Sequence, residues 1–220
     1  PEGAFQNAAL RNWAHAPVLA LGRKDCIRNA TIYSGDTAQI AFGWNREALF
    51  LRVSVHDNVI LQGQKEVWNL WRDDCLQWGI CLEPWKQRIN SGNTLIDKAS
   101  APKQIEFVLA ALSGKPAVYR SRAVPEQKNA PRKLLSQEEF SFSLNRNENL
   151  LIYEAAVPWE TLGLEKAPRY LSSTVAVNDR DSRASGLSAM SLFAGACEEK
   201  FPELMGILTL TEEEIKTDKK

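Results

Sequence analysis

The stretch Cys75-Leu-Gln-Trp-Gly-Ile-Cys-Leu82 alternates without a break: Leu76, Trp78, Ile80 and Leu82 fall on one side, Cys75, Gln77, Gly79 and Cys81 on the other. In an extended chain successive side chains point to opposite faces, so this pattern predicts a strand with one face in a core. The same period recurs along the chain. Thr37–Trp44 leads through the turn-like Asn45-Arg-Glu-Ala48 into Leu49–Asp57, where Leu49, Leu51, Val53 and Val55 share a face opposite Phe50, Arg52, Ser54 and His56. That is a hairpin. Further strand candidates begin at Gln104, Ala117, Glu138, Leu150, Leu171, Gly186 and Gly206, separated by Gly, Pro, Asn and charged loops. About nine or ten strands with almost no helical periodicity predict an all-β, two-sheet antiparallel sandwich rather than a βαβ fold.

Breaks in the pattern carry information too. In Tyr153–Gly163, Pro158 cannot donate to a sheet ladder but suits a first helical turn, and Gly163 suits its end; one short helical corner is expected there. Residues 124–137 hold two prolines and mixed charge and read as an exposed loop. The tail 212–220 is charged, and the expected core of one 1–220 domain runs over approximately 30–211.

With 220 residues and 44% apolar content the chain can bury a substantial core. Its 27 basic and 27 acidic residues cancel, so the charge balance points to neither nucleic acid nor an anionic membrane. No apolar run reaches the roughly 20 residues of a membrane span, and the opening Pro-Glu-Gly-Ala-Phe lacks the marks of a signal peptide, as expected if a leader has been removed. Cys26, Cys75, Cys81 and Cys197 have no CxxC spacing. Cys75 and Cys81, roughly 20 Å apart on one strand, cannot bridge each other.

Three stretches in order resemble family 9 carbohydrate-binding modules: Trp71-Arg-Asp-Asp74-Cys-Leu-Gln-Trp-Gly-Ile, Tyr153-Glu-Ala-Ala-Val-Pro-Trp159-Glu-Thr-Leu-Gly and Val177-Asn-Asp-Arg-Asp. The resemblance covers most of the chain, from Trp44 to Leu210. It implies a jelly-roll or immunoglobulin-like sandwich, a non-catalytic module that recognises a glycan or sugar, and a structural calcium ion. It further implies a secreted or periplasmic protein that belongs to a larger multidomain enzyme.

A sugar site needs flat aromatic surface for the C–H faces of the ring and fixed polar groups for its hydroxyls. Trp71 resembles the family's stacking tryptophan, and Trp68, three residues earlier, would enlarge the platform. Gln77 stands where similar modules place a glutamate that bonds ring hydroxyls. Phe201 is the nearest substitute for the second aromatic wall, with Phe193 next. Val108 and Ala110 occupy the places of an expected arginine and asparagine, which removes polarity from that face.

Asp57, Asp73, Asp74, Asp179 and Asp181 lie at expected strand ends, and clustered carboxylates suit calcium; Asp179 and Asp181 are the candidate ligands. They equally suit a turn in which Asp side chains bond backbone amides or pair with Arg180 or Arg183. Two other readings stay open. One is an interaction or structural domain whose sugar site is filled by its own loops. The other is a haem-binding electron-transfer domain using His15, His56, Met190 or Met205, though no CxxCH motif is present. Adjacent Glu138 and Glu139, expected on one strand, would point apart and so cannot act as a glycosidase pair.

Overall fold

The protein is described by a computed structural model at Trp13 and residues 16–28, 36–83, 104–122, 132–182, 186–193, 195 and 204–210. Thirteen strands are formed there: β1 (Val18–Leu21), β2 (Cys26–Arg28), β3 (Thr37–Trp44), β4 (Ala48–His56), β5 (Cys75–Cys81), β6 (Gln104–Leu112), β7 (Lys115–Arg122), β8 (Lys133–Leu134), β9 (Ser141–Asn147), β10 (Leu150–Pro158), β11 (Tyr170–Asp179), β12 (Ser188–Leu192) and β13 (Gly206–Thr209). One sheet has the order β1-β3-β4-β10-β9. The other runs β2-β12-β11-β5-β6-β7-β8, with β13 pairing the first half of β11 beside β12. Every pairing is antiparallel, as the alternation predicts.

The predicted faces pack against each other. Leu49, Leu51, Val53 and Val55 from one sheet meet Leu76, Trp78, Ile80, Phe107 and Val175 from the other in a single core. Trp78 lies at its centre, edge-on to Phe140 at 6.0 Å, and its indole N–H reaches Ser173 Oγ at 3.0 Å. Ser173 in turn donates to the Gly79 carbonyl at 3.1 Å, so the one polar atom of this ring is satisfied inside the core.

The corner after β10 forms as the sequence dictates. Pro158 closes the strand, Glu160–Leu162 make one 3₁₀ turn, and Gly163 ends it at φ 78°, in the left-handed region that glycine enters without strain. Trp159 pins this corner to the β3–β4 hairpin: its indole donates to the Asn45 carbonyl at 3.0 Å and its backbone N–H to the Glu47 carbonyl at 3.1 Å.

Three local expectations are corrected. Lys133–Leu134, inside the stretch read as loop, form the short edge strand β8 against Tyr119 and Arg120. Glu138 and Glu139 sit in the turn before β9, where Lys133 Nζ lies 2.5 Å from Glu139 Oε1. Helical structure also extends beyond one corner, with 3₁₀ turns at Arg23–Asp25 and Val67–Arg72. Among the described residues no helix is long and apolar enough to cross a membrane.

Candidate functional site

The turn Val67–Arg72 crosses the outer face of the larger sheet just before β5. In a 3₁₀ helix residues i and i+3 eclipse, so its side chains stand in three columns. Val67 and Leu70 form the inward column and pack on Cys75, Val108 and Ala110. Trp68 and Trp71, three residues apart and so in the next column of such a turn, remain 59% and 37% exposed. Arg72 lies with its guanidinium 5.3 Å from the Trp71 ring centroid, a cation–π contact on one side of that indole.

The turn is tied down from below. Asn178 Nδ2 donates to the Trp71 carbonyl at 2.8 Å, and Arg180 Nη1 donates to the Arg72 carbonyl at 3.0 Å. Asp73 and Asp74, the next two residues, face the opposite segment: Gly63 N–H and Gln64 Nε2 donate to Asp73 at 2.9 and 2.8 Å, while Leu61 N–H and Arg180 N–H donate to Asp74. These two aspartates therefore clasp loops.

Gln77 shares the outer face with Trp71's turn but lies beneath the surface, only 5% exposed. Its cross-strand neighbours are Val108 and Ala176, both buried. Val108 and Ala110, at the places of the expected arginine and asparagine, are covered by Leu70. Further along β5, Gly79 is covered by Met205. Phe193 follows β12 at φ 64°, a conformation costly for an aromatic residue, and its carbonyl accepts from the hydroxyls of Thr174 and Ser191. Its ring packs over Gly206 and is 46% exposed. Phe201 lies outside the described residues.

A second constellation forms at one end of the sandwich. Carboxylate oxygens of Asp36, Asp57 and Asp179 lie within 4.8 Å of one another, all three residues buried. They come from just before β3, just after β4 and the last position of β11. Asp181 stands close by, since Asp36 acts with burial to raise its carboxyl. Burial also pushes Asp57 up to about 6, with Asp36 and Asp181 adding to the shift against a backbone N–H from Val59. Asp74 is pushed up to about 9, first by burial and then by Asp57. Charges of one sign gathered out of water raise each other's pKa in this way.

The donor set fits a hard divalent cation. It consists of oxygen ligands alone, and Asp181 Oδ1 is shielded from solvent with no hydrogen bond to it. Asp179 thus joins two partners that sequence spacing could not associate, Asp36 and Asp57. The residue that sequence reading passed over altogether beside the indoles is Arg72, whose only signal was its place in Trp71-Arg-Asp-Asp74.

The residues considered for haem are scattered. Met190 is packed in the core between the sheets, Met205 lies on the outer face over Gly79, and His56 is exposed at the end of β4. His15 lies outside the described residues. Cys75 and Cys81 are buried on β5 and Cys26 is half-buried, while Cys197 lies outside the described residues.

No family model and no curated protein matches this sequence. Solved structures do. A family 9 carbohydrate-binding module from Caldicellulosiruptor kristjanssonii in complex with cellotriose superposes with a TM-score of 0.63 at 13% identity, covering 93% of this chain and 87% of that one. The module from the same organism in complex with glucose gives a TM-score of 0.57 at 13% identity, over 86% of this chain and 83% of that one. The chain has the fold of family 9 carbohydrate-binding modules.

Proposed function

We propose that this chain is a non-catalytic carbohydrate-binding module in which Trp71, extended by Trp68, stacks on a sugar ring. The observation that carries the reading is the exposed pair of indoles in one column of a turn whose backbone is fixed by Asn178 and Arg180. A stacking surface binds tightly only if its ordering cost is met in advance, and a pinned turn does that. Arg72 offers guanidinium donors beside the indole for ring hydroxyls. Phe193, whose backbone carbonyl is held by Thr174 and Ser191 and whose ring packs over Gly206, is the candidate for a second aromatic contact. Gln77 would act from beneath, through its amide, where the covering side chains leave it reachable.

Asp36, Asp57, Asp179 and Asp181 would hold calcium, which when bound supplies positive charge that offsets their mutual repulsion. The fold's likeness to modules solved with cellotriose and glucose supports a sugar as the ligand class. An extracellular or periplasmic setting and attachment to a larger enzyme accord with such a role.

The buried outer face favours a second reading, an interaction domain with its sugar site filled: Leu70 covers Val108 and Ala110, and Met205 covers Gly79. A broad glycan array, followed by affinity-gel retention of native protein and Trp71→Ala, separates the two. Retention lost in the variant supports sugar binding; silence across the array supports the filled site. Turnover of a polysaccharide would overturn the non-catalytic reading.

A further inference from the structure

Three consecutive residues join the acidic cluster to the tryptophan turn. Asp179 contributes its carboxylate to the cluster, and its two neighbours reach the other way. Asn178 donates to the Trp71 carbonyl at 2.8 Å and Arg180 to the Arg72 carbonyl at 3.0 Å, while the Arg180 N–H binds Asp74 Oδ1 at 2.8 Å. A second connection runs through residues 57–64. Asp57 belongs to the cluster, and further along the same segment the N–H groups of Leu61 and Gly63 bind Asp74 and Asp73, immediately after the turn. Both anchors of the tryptophan turn therefore carry a carboxylate of the cluster.

We infer that occupancy of this cluster by a divalent cation sets the position of Trp71, and through it the affinity for sugar. This rests on reading the cluster as a cation site and Trp71 as the sugar contact. Without a cation, three buried carboxylates relieve their repulsion by separating, and that change bears on the ends of β4 and β11. Those ends are bonded to the turn, so the shift reaches the indole. With a cation the carboxylates are drawn together and the turn is held in one place. Such coupling is reciprocal: the factor by which calcium tightens sugar binding is the factor by which sugar tightens calcium binding, typically 5- to 150-fold, on the order of 10-fold for one pinned turn.

The test uses the full chain freed of calcium with chelator. Iodide quenching of tryptophan fluorescence is followed as CaCl2 alone is added, for native protein, Trp71→Phe and Asn178→Asp, the last keeping the side-chain size without the donor. A calcium-dependent change in the native protein that vanishes in Trp71→Phe and is at least halved in Asn178→Asp is expected. Calorimetry then measures the sugar with and without calcium. A Trp71 signal that ignores CaCl2, or calcium that does not bind, overturns the inference, and so does a sugar affinity equal in both conditions. If no sugar binds yet the Trp71 signal follows calcium, the link from cluster to indole stands and the sugar reading falls.

Discussion

Met205 lies directly on Gly79: a Cβ built on that glycine would meet the Met205 methyl at 3.0 Å and Thr174 Cγ2 at 2.9 Å. The outer face of β5 is thus packed as tightly as an interior at this point, and Gly79 is the residue that allows it. Gly79→Ala is expected to overpack the site and cost about 1–3 kcal/mol. For a chain of this length that is a fall of roughly 2–4 °C in melting temperature per kcal/mol, readable by calorimetry. An unchanged melting temperature would mean that Met205 swings aside without penalty and that the face is open.

Gly206 stands in the same relation to Phe193, with a Cβ there meeting the ring at 2.0 Å. The ring is exposed at its far edge, so it can move. Gly206→Ala is expected to displace the Phe193 ring at a cost of about 1 kcal/mol and, if that ring contacts the ligand, to weaken sugar binding several-fold. Loss of stability with unchanged affinity would remove Phe193 from the binding surface.

The acidic cluster carries a definite pH signature. Burial pushes the Asp57 carboxyl up to about 6 and the Asp74 carboxyl up to about 9 from an ordinary 3.8, so the folded state binds more protons than the unfolded state in the window above the ordinary value. Stability of the calcium-free protein then falls as pH rises through that window. Glu139, held low by Lys133, has the opposite sense, but its contribution is confined to more acid pH and it lies at the surface. Melting in chelator is expected at higher temperature at pH 5 than at pH 8, and millimolar calcium is expected to raise it more at pH 8. A larger calcium effect at pH 5 would contradict the assignment.

Much of this was legible in the chain, for reasons of period. Leu76, Trp78 and Ile80 declare a core face by alternation, and Pro158 with Gly163 mark a strand end and a turn by backbone chemistry alone. The tryptophan turn was not legible as a helix. Its order depends on Leu70 fitting Val108 and Ala110 from a strand more than thirty residues later, and six residues are too few to announce a period of three. The carboxylate cluster was only half visible. Asp179 sits in a recognisable Val-Asn-Asp stretch, but Asp36 and Asp57 reach it through strand pairing, which no local spacing encodes. Trp68 and Trp71 could be picked out as aromatics near a strand, whereas their common outward column follows from the 3₁₀ geometry.

The most direct measurement is titration calorimetry of the calcium-loaded chain with the oligosaccharide best retained on the array, native protein beside Trp71→Ala. The native protein is expected to give saturable heat. The variant should give none, while its melting temperature stays within about 2 °C, since a surface truncation costs about 0.5 kcal/mol or less. Equal affinity in the two proteins would contradict the claim that a sugar ring stacks on Trp71.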